Sequence, residues 1–150
     1  MGRVKLNRRS NPPIVAMLVV LATVASAAFG GCYWSRYPEL METHLVLLDE
    51  FAAKLDDVAR SDRGVPVEAW PEFIYPLERA QDFARIAAQR YPDHGSLRAF
   101  RVVLERYGAL VEDPGLAGGP DAAGEIARRR EALAEAIAET RSELEREANS

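Results

Sequence analysis

Apolar residues recur at steps of three and four along most of the chain beyond residue 37, the spacing that places them on one face of an α-helix. The first such segment begins at Pro38, a favourable residue for a first helical turn, and ends near Arg60 before a turn rich in polar residues and glycine. The pattern therefore predicts one continuous helix. Its predicted buried stripe consists of Met41, His44, Leu48, Phe51, Leu55 and Val58.

The second and third helical segments are separated by a polar turn. Because a proline inside a helix removes a hydrogen bond and clashes with the preceding turn, we expect a short turn at Pro71 and the main second helix from Pro76. Asp93 or Ser96 is expected to cap the third helix. Gly108 predicts the close approach of a neighbouring backbone, since glycine inside a helix costs up to about 1 kcal/mol relative to alanine. The predicted stripes are Phe73, Leu77, Ala80, Ala84, Ala87 and Tyr91 in the second helix and Leu97, Phe100, Leu104, Tyr107 and Val111 in the third.

A fourth, alanine-rich helical segment covers residues 120–147 and follows a Gly/Pro/Ala-rich linker at about residues 113–124. Apolar residues and one threonine line a single face of it: Ile126, Leu133, Ile137, Thr140 and Leu144. Two ion pairs between residues four apart are expected within it: Glu125 with Arg129, and Arg141 with Glu145.

Four amphipathic helices and no convincing strand predict an all-α fold for residues 38–150. An up-down four-helix bundle buries all four stripes together and is the architecture we expect. The alternative is a three-helix bundle from which the fourth helix projects. In either case the bundle follows an N-terminal signal or anchor helix.

The first 31 residues have the layout of an export signal. Residues 1–13 contain four basic residues and no acidic one, and residues 14–29 form an uncharged, mostly apolar run. A helix over that run would extend about 24 Å, which is short of a hydrocarbon core of roughly 30 Å. The run is therefore better suited to a cleaved signal than to a membrane span.

The only cysteine of the chain, Cys32, follows the apolar run through Phe29, Gly30 and Gly31. This segment resembles the lipobox of bacterial lipoprotein precursors, in which cleavage occurs before the cysteine. The resemblance implies cleavage between Gly31 and Cys32, diacylglycerol on the Cys32 thiol and acylation of the new amino terminus. Residues 32–37 would then be the anchor and a short tether. Tyr33 lacks the retention signal of the inner membrane, so the resemblance leans towards the outer membrane.

Two other fates of the leader remain open. The sequence ASA at residues 25–27 suits an ordinary signal peptidase, and an uncleaved leader would form a single-pass anchor in the inner membrane. The lone cysteine favours lipidation, because an exported protein with one cysteine forms no internal disulfide and an exposed thiol in an oxidising compartment needs a reason.

The charge of the chain bears on its partners. It carries 19 basic and 23 acidic residues among its 150, and four of the basic residues lie in the leader, so the remainder is clearly acidic. Nucleic acids and anionic lipid surfaces would repel such a domain at long range. No family resemblance is evident for the helical part.

Few residues offer catalytic or cofactor chemistry. The helical part lacks the spacings typical of covalent haem, phosphate-binding loops and zinc hydrolases. Met41 and His44 on the first helix and His94 at the start of the third are weak candidates for a haem or metal site. They resemble in part the haem ligands of cytochrome b562-type bundles, but the last helix has neither histidine nor methionine. No catalytic residue and no cofactor are expected.

Two surface features of the predicted helices bear on interaction sites. Trp70, Phe73 and Tyr75 either cover the end of the bundle or form an exposed apolar patch. The basic run Arg128, Arg129 and Arg130 is flanked by glutamates and is more typical of ion pairing on a helix surface than of docking. The sequence thus favours a membrane-anchored, non-catalytic lipoprotein that contacts other envelope proteins from the periplasmic side, and the alternative is a carrier of haem, metal or a small ligand.

Overall fold

The computed structural model describes residues 36–61, 66–113 and 121–150. Apart from residues 36 and 37, all of them belong to one compact unit, Pro38–Ser150. Within these ranges the chain is entirely helical, with no strand, which confirms the all-α prediction for this part. The predicted signal or anchor helix, Gly31, Cys32 and most of the tether lie outside the described residues. The helices are α1, Tyr37–Ala59; a short 3-10 helix, Val67–Ala69; α2, Trp70–Ala87; α3, Gly95–Val111; and α4, Ala122–Ala148.

The core is formed by the apolar faces of all four helices, as a helical bundle requires. On α1 the buried positions repeat at alternating steps of four and three, which is the seam of a helix packed along its neighbours. The prediction included most of this seam but missed Leu45 and Ala52, and it included His44, Phe51 and Val58, which are only partly buried. Each large side chain buried in this way contributes about 1.5–3 kcal/mol. The seam consists of Met41, Leu45, Leu48, Ala52 and Leu55.

Helix α2 begins earlier than predicted. It starts at Trp70 and continues through Pro76, which is buried inside the helix, so the prediction of a main helix from Pro76 was wrong. Pro76 leaves the carbonyl of Glu72 without its helical donor. At the next residue, the carbonyl oxygen of Phe73 accepts a hydrogen bond from the Tyr107 hydroxyl at 2.9 Å. This bond does not replace the donor that Glu72 lacks, but it ties the adjacent backbone of α2 to α3.

Two local predictions for α3 were also wrong. The residue that precedes its first turn is His94, which makes no capping side-chain hydrogen bond, and neither Asp93 nor Ser96 occupies that position. At Gly108 an added Cβ would lie 3.7 Å from Leu77 Cδ2 and 3.6 Å from Glu112 Oε2, which are ordinary contacts with side chains. No backbone crowding at Gly108 therefore accounts for the glycine.

Helix α4 lies along α3, and these two helices have the most extensive close backbone contact in the described part. The predicted pair of Glu125 with Arg129 is present at 2.8 Å. Arg141 instead binds Glu42 of α1, with Nη2 2.6 Å from Oε1, because this carboxylate is presented by a neighbouring helix. These contacts do not fit the alternative of a projecting fourth helix. None of the helices in the described part combines the length and apolar character needed to cross a bilayer.

Candidate functional sites

His44 lies between aromatic rings of two other helices. Its ring centroid is 4.9 Å from that of Phe83 on α2 and 6.4 Å from that of Phe100 on α3. The Nδ1 atom is buried and has no hydrogen-bond partner among the described residues. Burial lowers the pKa of His44, and the nearby charge of Arg79 lowers it further. The neutral imidazole therefore serves as part of the packing between helices.

The other two candidate ligands have different surroundings. Met41 is fully buried in the α1 seam. The ring of His94 packs against Tyr91 at 4.8 Å, and its Nδ1 lies 3.2 Å from Glu147 Oε2 on α4. In the part of the chain that the structure describes, no group of three or more His, Cys, Asp or Glu side chains is arranged to hold a metal ion.

Glu147 connects the end of α4 to the beginning of α3. Its carboxylate accepts hydrogen bonds from the backbone N of Ser96 at 3.0 Å and from Ser96 Oγ at 2.6 Å. Burial alone would raise the pKa of Glu147, but the two bonds from Ser96 and the proximity of His94 outweigh it, so the pKa is lowered. The carboxylate thus caps the free N–H groups of α3 from another helix, where a negative charge is also favoured by the helix dipole.

A buried carboxylate, that of Asp56, joins α1 to α4. Its side chain is 6% exposed and accepts bonds from Arg60 at 2.9 Å and from Arg130 at 3.1 Å. The bonds from Arg60 lower its pKa most; burial opposes this effect and Arg130 adds to it. Two cations around one buried carboxylate form a structural ion cluster, in which the acid is held ionised and is poorly suited to accept a proton.

The basic run on α4 is occupied by contacts within the chain. Arg128 binds Glu125 at 2.6 Å, Arg129 binds the same carboxylate and also donates to the carbonyl of Ala109, and Arg130 binds Asp56. This arrangement agrees with ion pairing on the helix surface rather than with docking.

The aromatic residues at the start of α2 divide between core and surface. Trp70 and Phe73 are buried, and the Trp70 indole Nε1 donates to the carbonyl oxygen of Val111 at 2.6 Å. Tyr75 is 59% exposed and, with Phe51 and Pro71, borders a shallow groove of about 500 Å³. Both predicted roles are therefore present, on different residues. We call the surface formed by Phe51, Pro71, Glu72 and Tyr75 the Tyr75 groove.

A second open groove, of about 570 Å³, lies between the beginning of α1 and the end of α4. Its apolar floor includes Leu144, and the ion pair of Glu42 with Arg141 borders it. Sequence reasoning identified neither this groove nor the role of Glu147, because both depend on helices that are distant in the chain. Sequence reasoning did indicate the exposed surface at Tyr75, because an aromatic cluster between two prolines suggested it.

The comparisons with known proteins add no relative. No family model matches the chain, and no curated protein or solved structure matches it either.

Proposed function

We propose that this chain is the precursor of a bacterial lipoprotein whose Cys32 carries the lipid and whose helical domain faces the periplasm as a non-catalytic interaction or scaffold module. The sequence of the leader and the single cysteine support the anchor. Because two or more acyl chains hold a protein stably at a membrane, such an anchor would keep the domain at the envelope. The lack of the inner-membrane signal at Tyr33 favours the outer membrane.

We infer further that the helices form an up-down four-helix bundle. The support comes from contacts that join opposite ends of consecutive helices. The start of α2 binds the end of α3 through Trp70 and Val111, and the start of α3 binds the end of α4 through Ser96 and Glu147. Helix α1 closes the arrangement, since Glu42 near its start binds Arg141 near the end of α4.

The Tyr75 groove is the observation that carries the interaction role. Tyrosine is enriched at protein interfaces because its ring offers a large apolar surface and its hydroxyl a polar contact. Here the ring is 59% exposed next to Pro71 and Phe51. The core, by contrast, contains many fully buried large side chains, among them Tyr107, Phe73 and Phe100, which supports action through the surface rather than through a ligand held inside the bundle.

Labelling with a tagged fatty acid tests the anchor. In bacteria that express the full chain, we expect label on the wild type and none on Cys32→Ser, with both proteins giving the same helical circular dichroism. Mass spectrometry of the wild type should find an acylated residue 32 at the amino terminus. A labelled Cys32→Ser variant, or a mature protein that begins at another residue, contradicts the anchor.

Site-specific photo-crosslinking tests the interaction role. A photoreactive residue at Tyr75 of the anchored chain should give a discrete adduct with an envelope protein, while the same residue at Gln81, also exposed on α2, serves as the matched control. Identical adducts at both positions, or none at Tyr75, contradict the use of this groove. Haem absorption or stoichiometric metal in the purified protein would instead favour a carrier.

A further inference from the structure

A row of positive charge lies on the outer side of α3. Arg98 and Arg106 are exposed there with Val102 between them at steps of four residues, and Arg101 lies with the acidic Glu105 on the adjoining side of the helix. The Arg98 guanidinium donates to the carbonyl of Asp93. Arg106 takes part in no ion pair among the described residues. Val102 lies among these arginines and is 39% exposed. The outer side of α3 is therefore basic with an apolar centre.

A row of negative charge lies on the outer side of α4. Glu131, Glu135 and Glu139 are spaced four residues apart and exposed, so they share one side of the helix. Two other glutamates of α4 have arginine partners: Glu125 binds Arg128 and Arg129, and Glu143 contacts Arg146 at 2.6 Å. The three glutamates of the row have none among the described residues. Like charges four apart repel one another, and cations brought by a binding partner would relieve that repulsion.

The two rows overlap over part of their length on neighbouring helices. A small groove is bordered by Arg98 and Val102 on α3 and by Glu139 on α4. The helices run in opposite directions, because Ser96 binds Glu147 at one end and the Ala109 carbonyl accepts from Arg129 at the other. Arg106 therefore lies near the height of Glu135. We call this surface the α3–α4 face: Arg98, Val102 and Arg106 on α3 with Glu131, Glu135, Ala138 and Glu139 on α4.

We propose that the α3–α4 face binds a second copy of this chain in a two-fold symmetric dimer. A two-fold axis parallel to the helices sets α3 of one copy on α4 of the other at the same height, so each basic row meets an acidic row. An axis perpendicular to the helices would instead set α3 on α3 and α4 on α4, where like charges repel. The charge pattern thus selects the parallel arrangement.

The parallel arrangement places the beginning of α1 at the same end of both copies. Two copies anchored in one membrane can therefore form it without either being inverted. Only this agreement with a shared membrane rests on the proposed function; the pairing of the faces rests on the charges of α3 and α4.

Complementary charge reversals test the dimer in the full chain purified in detergent. Arg106→Glu and Glu135→Arg should each weaken self-association about tenfold, because each places like charges opposite one another at both symmetric contacts. When the two variants are mixed, the hetero-dimer has opposite charges at both contacts, so they should bind each other more tightly than either binds itself. Because the two changes lie on separate chains, a contact restored within one chain cannot account for this recovery of association.

The control carries the same change of charge elsewhere. Arg85→Glu, on the exposed side of α2, should associate like the wild type. High salt should weaken the wild-type dimer, since it depends on exposed charges. A monomeric wild type at low salt, or a failure of the mixed variants to associate, overturns the proposal.

Cysteine crosslinking tests the arrangement and separates this proposal from the anchor. Copies carrying Val102→Cys and copies carrying Ala138→Cys, distinguished by tags, should be joined to each other by a short bismaleimide in preference to 102–102 or 138–138 adducts. Preference for the like-to-like adducts overturns the parallel dimer. The chain without added cysteines is the control. An adduct formed through Cys32 in this control would reveal an unlipidated thiol and contradict the anchor. The interpretation of the 102–138 adduct would not change.

Discussion

The two ends of α3 are both held by side chains from other helices, but the chemistry differs. At the C-terminal end, the indole of Trp70 donates to the carbonyl of Val111, and both residues are buried. At the N-terminal end, the carboxylate of Glu147 accepts from the backbone and hydroxyl of Ser96, and its side chain is 25% exposed. One contact is neutral and dry, whereas the other is ionic and partly hydrated.

The difference shows two ways to satisfy backbone groups that lack a helical partner. A helix end leaves carbonyls at one terminus and N–H groups at the other. The neutral contact at Val111 depends on close packing, because a buried carbonyl without a donor costs free energy. The ionic contact at Ser96 depends on the charge of Glu147 and so on pH. Mutations at the two ends should therefore differ in size and in pH dependence.

Trp70→Phe should have the largest effect. It removes the donor to a buried carbonyl and leaves space in the core, and together these lower the free energy of unfolding by about 2–4 kcal/mol. Urea unfolding followed by circular dichroism at neutral pH measures the change. A loss below that of the Tyr107→Phe variant would contradict the importance given to this end of α3.

Tyr107→Phe should follow at about 1–3 kcal/mol, because the carbonyl of Phe73 loses its side-chain donor in the interior beside Pro76. Burial raises the pKa of Tyr107, so its hydroxyl stays protonated and keeps donating at neutral and mildly alkaline pH. Tyr75→Phe is the control, since that hydroxyl is on an exposed residue, and it should change the free energy of unfolding little. Equal effects of the two variants would contradict the role of the bond.

Glu147→Gln should cost about 1 kcal/mol at neutral pH, since charge-assisted bonds become neutral ones. The folded chain lowers the pKa of Glu147 from its ordinary 4.5, so its contribution is present above that pH and is lost as pH falls through the folded value. The difference between wild type and variant should therefore shrink in acid. Glu145→Gln, at an exposed neighbour, is the control. A difference that is independent of pH would exclude the ionic account.

His44 must be removed before the two ends are compared in acid. Well above pH 6.5 its imidazole is neutral in both states and pH has no effect through it. As pH falls below 6.5, the unfolded chain binds the proton first because the pKa of His44 is lowered in the fold, so the free energy of unfolding decreases. His44→Phe should make the stability of the domain less dependent on pH in this window. If the free energy of unfolding of His44→Phe depends on pH as steeply as that of the wild type, the role given to His44 is wrong.

Gly108→Ala should have the smallest effect and the opposite sign. It lies between the two ends of α3, where an added Cβ meets only side chains at ordinary distances. Because alanine restricts the unfolded chain more than glycine does, we expect a gain of about 0.5–1 kcal/mol. The melting temperature should rise slightly, and a decrease would reveal crowding that the structure does not contain.

Much of the fold could be predicted from local patterns. Steps of three and four gave all four helices, and the pair of Glu125 with Arg129 follows from spacing along one helix. The start of α2 was predicted wrongly, because Pro76 lies buried inside a helix that packs on α3 and is tied to it by the bond of Phe73 with Tyr107, 34 residues away. Local rules describe what a residue removes, and they do not include what a distant helix supplies.

The candidate sites divide in the same way. The anchor at Cys32 is a linear signal that needs no fold to be recognised, and it remains a prediction. The sequence places His94 near the start of α3. Its neighbour Glu147 belongs to another helix, however, so the sequence alone could not distinguish a metal-binding role for His94 from a place beside a carboxylate that caps α3. The α3–α4 face could not be predicted either, because its two charged rows become neighbours only when α3 and α4 pack together.

The ion pair of Glu42 with Arg141 bears on the order of events during synthesis. Its partners are 99 residues apart, so α1 leaves the ribosome long before the segment it binds has been translated. Until then α1 has no access to this contact, and the early chain remains open. In the export that we propose, the chain would pass a translocation channel unfolded, and a fold that closes only when α4 is available would favour that passage.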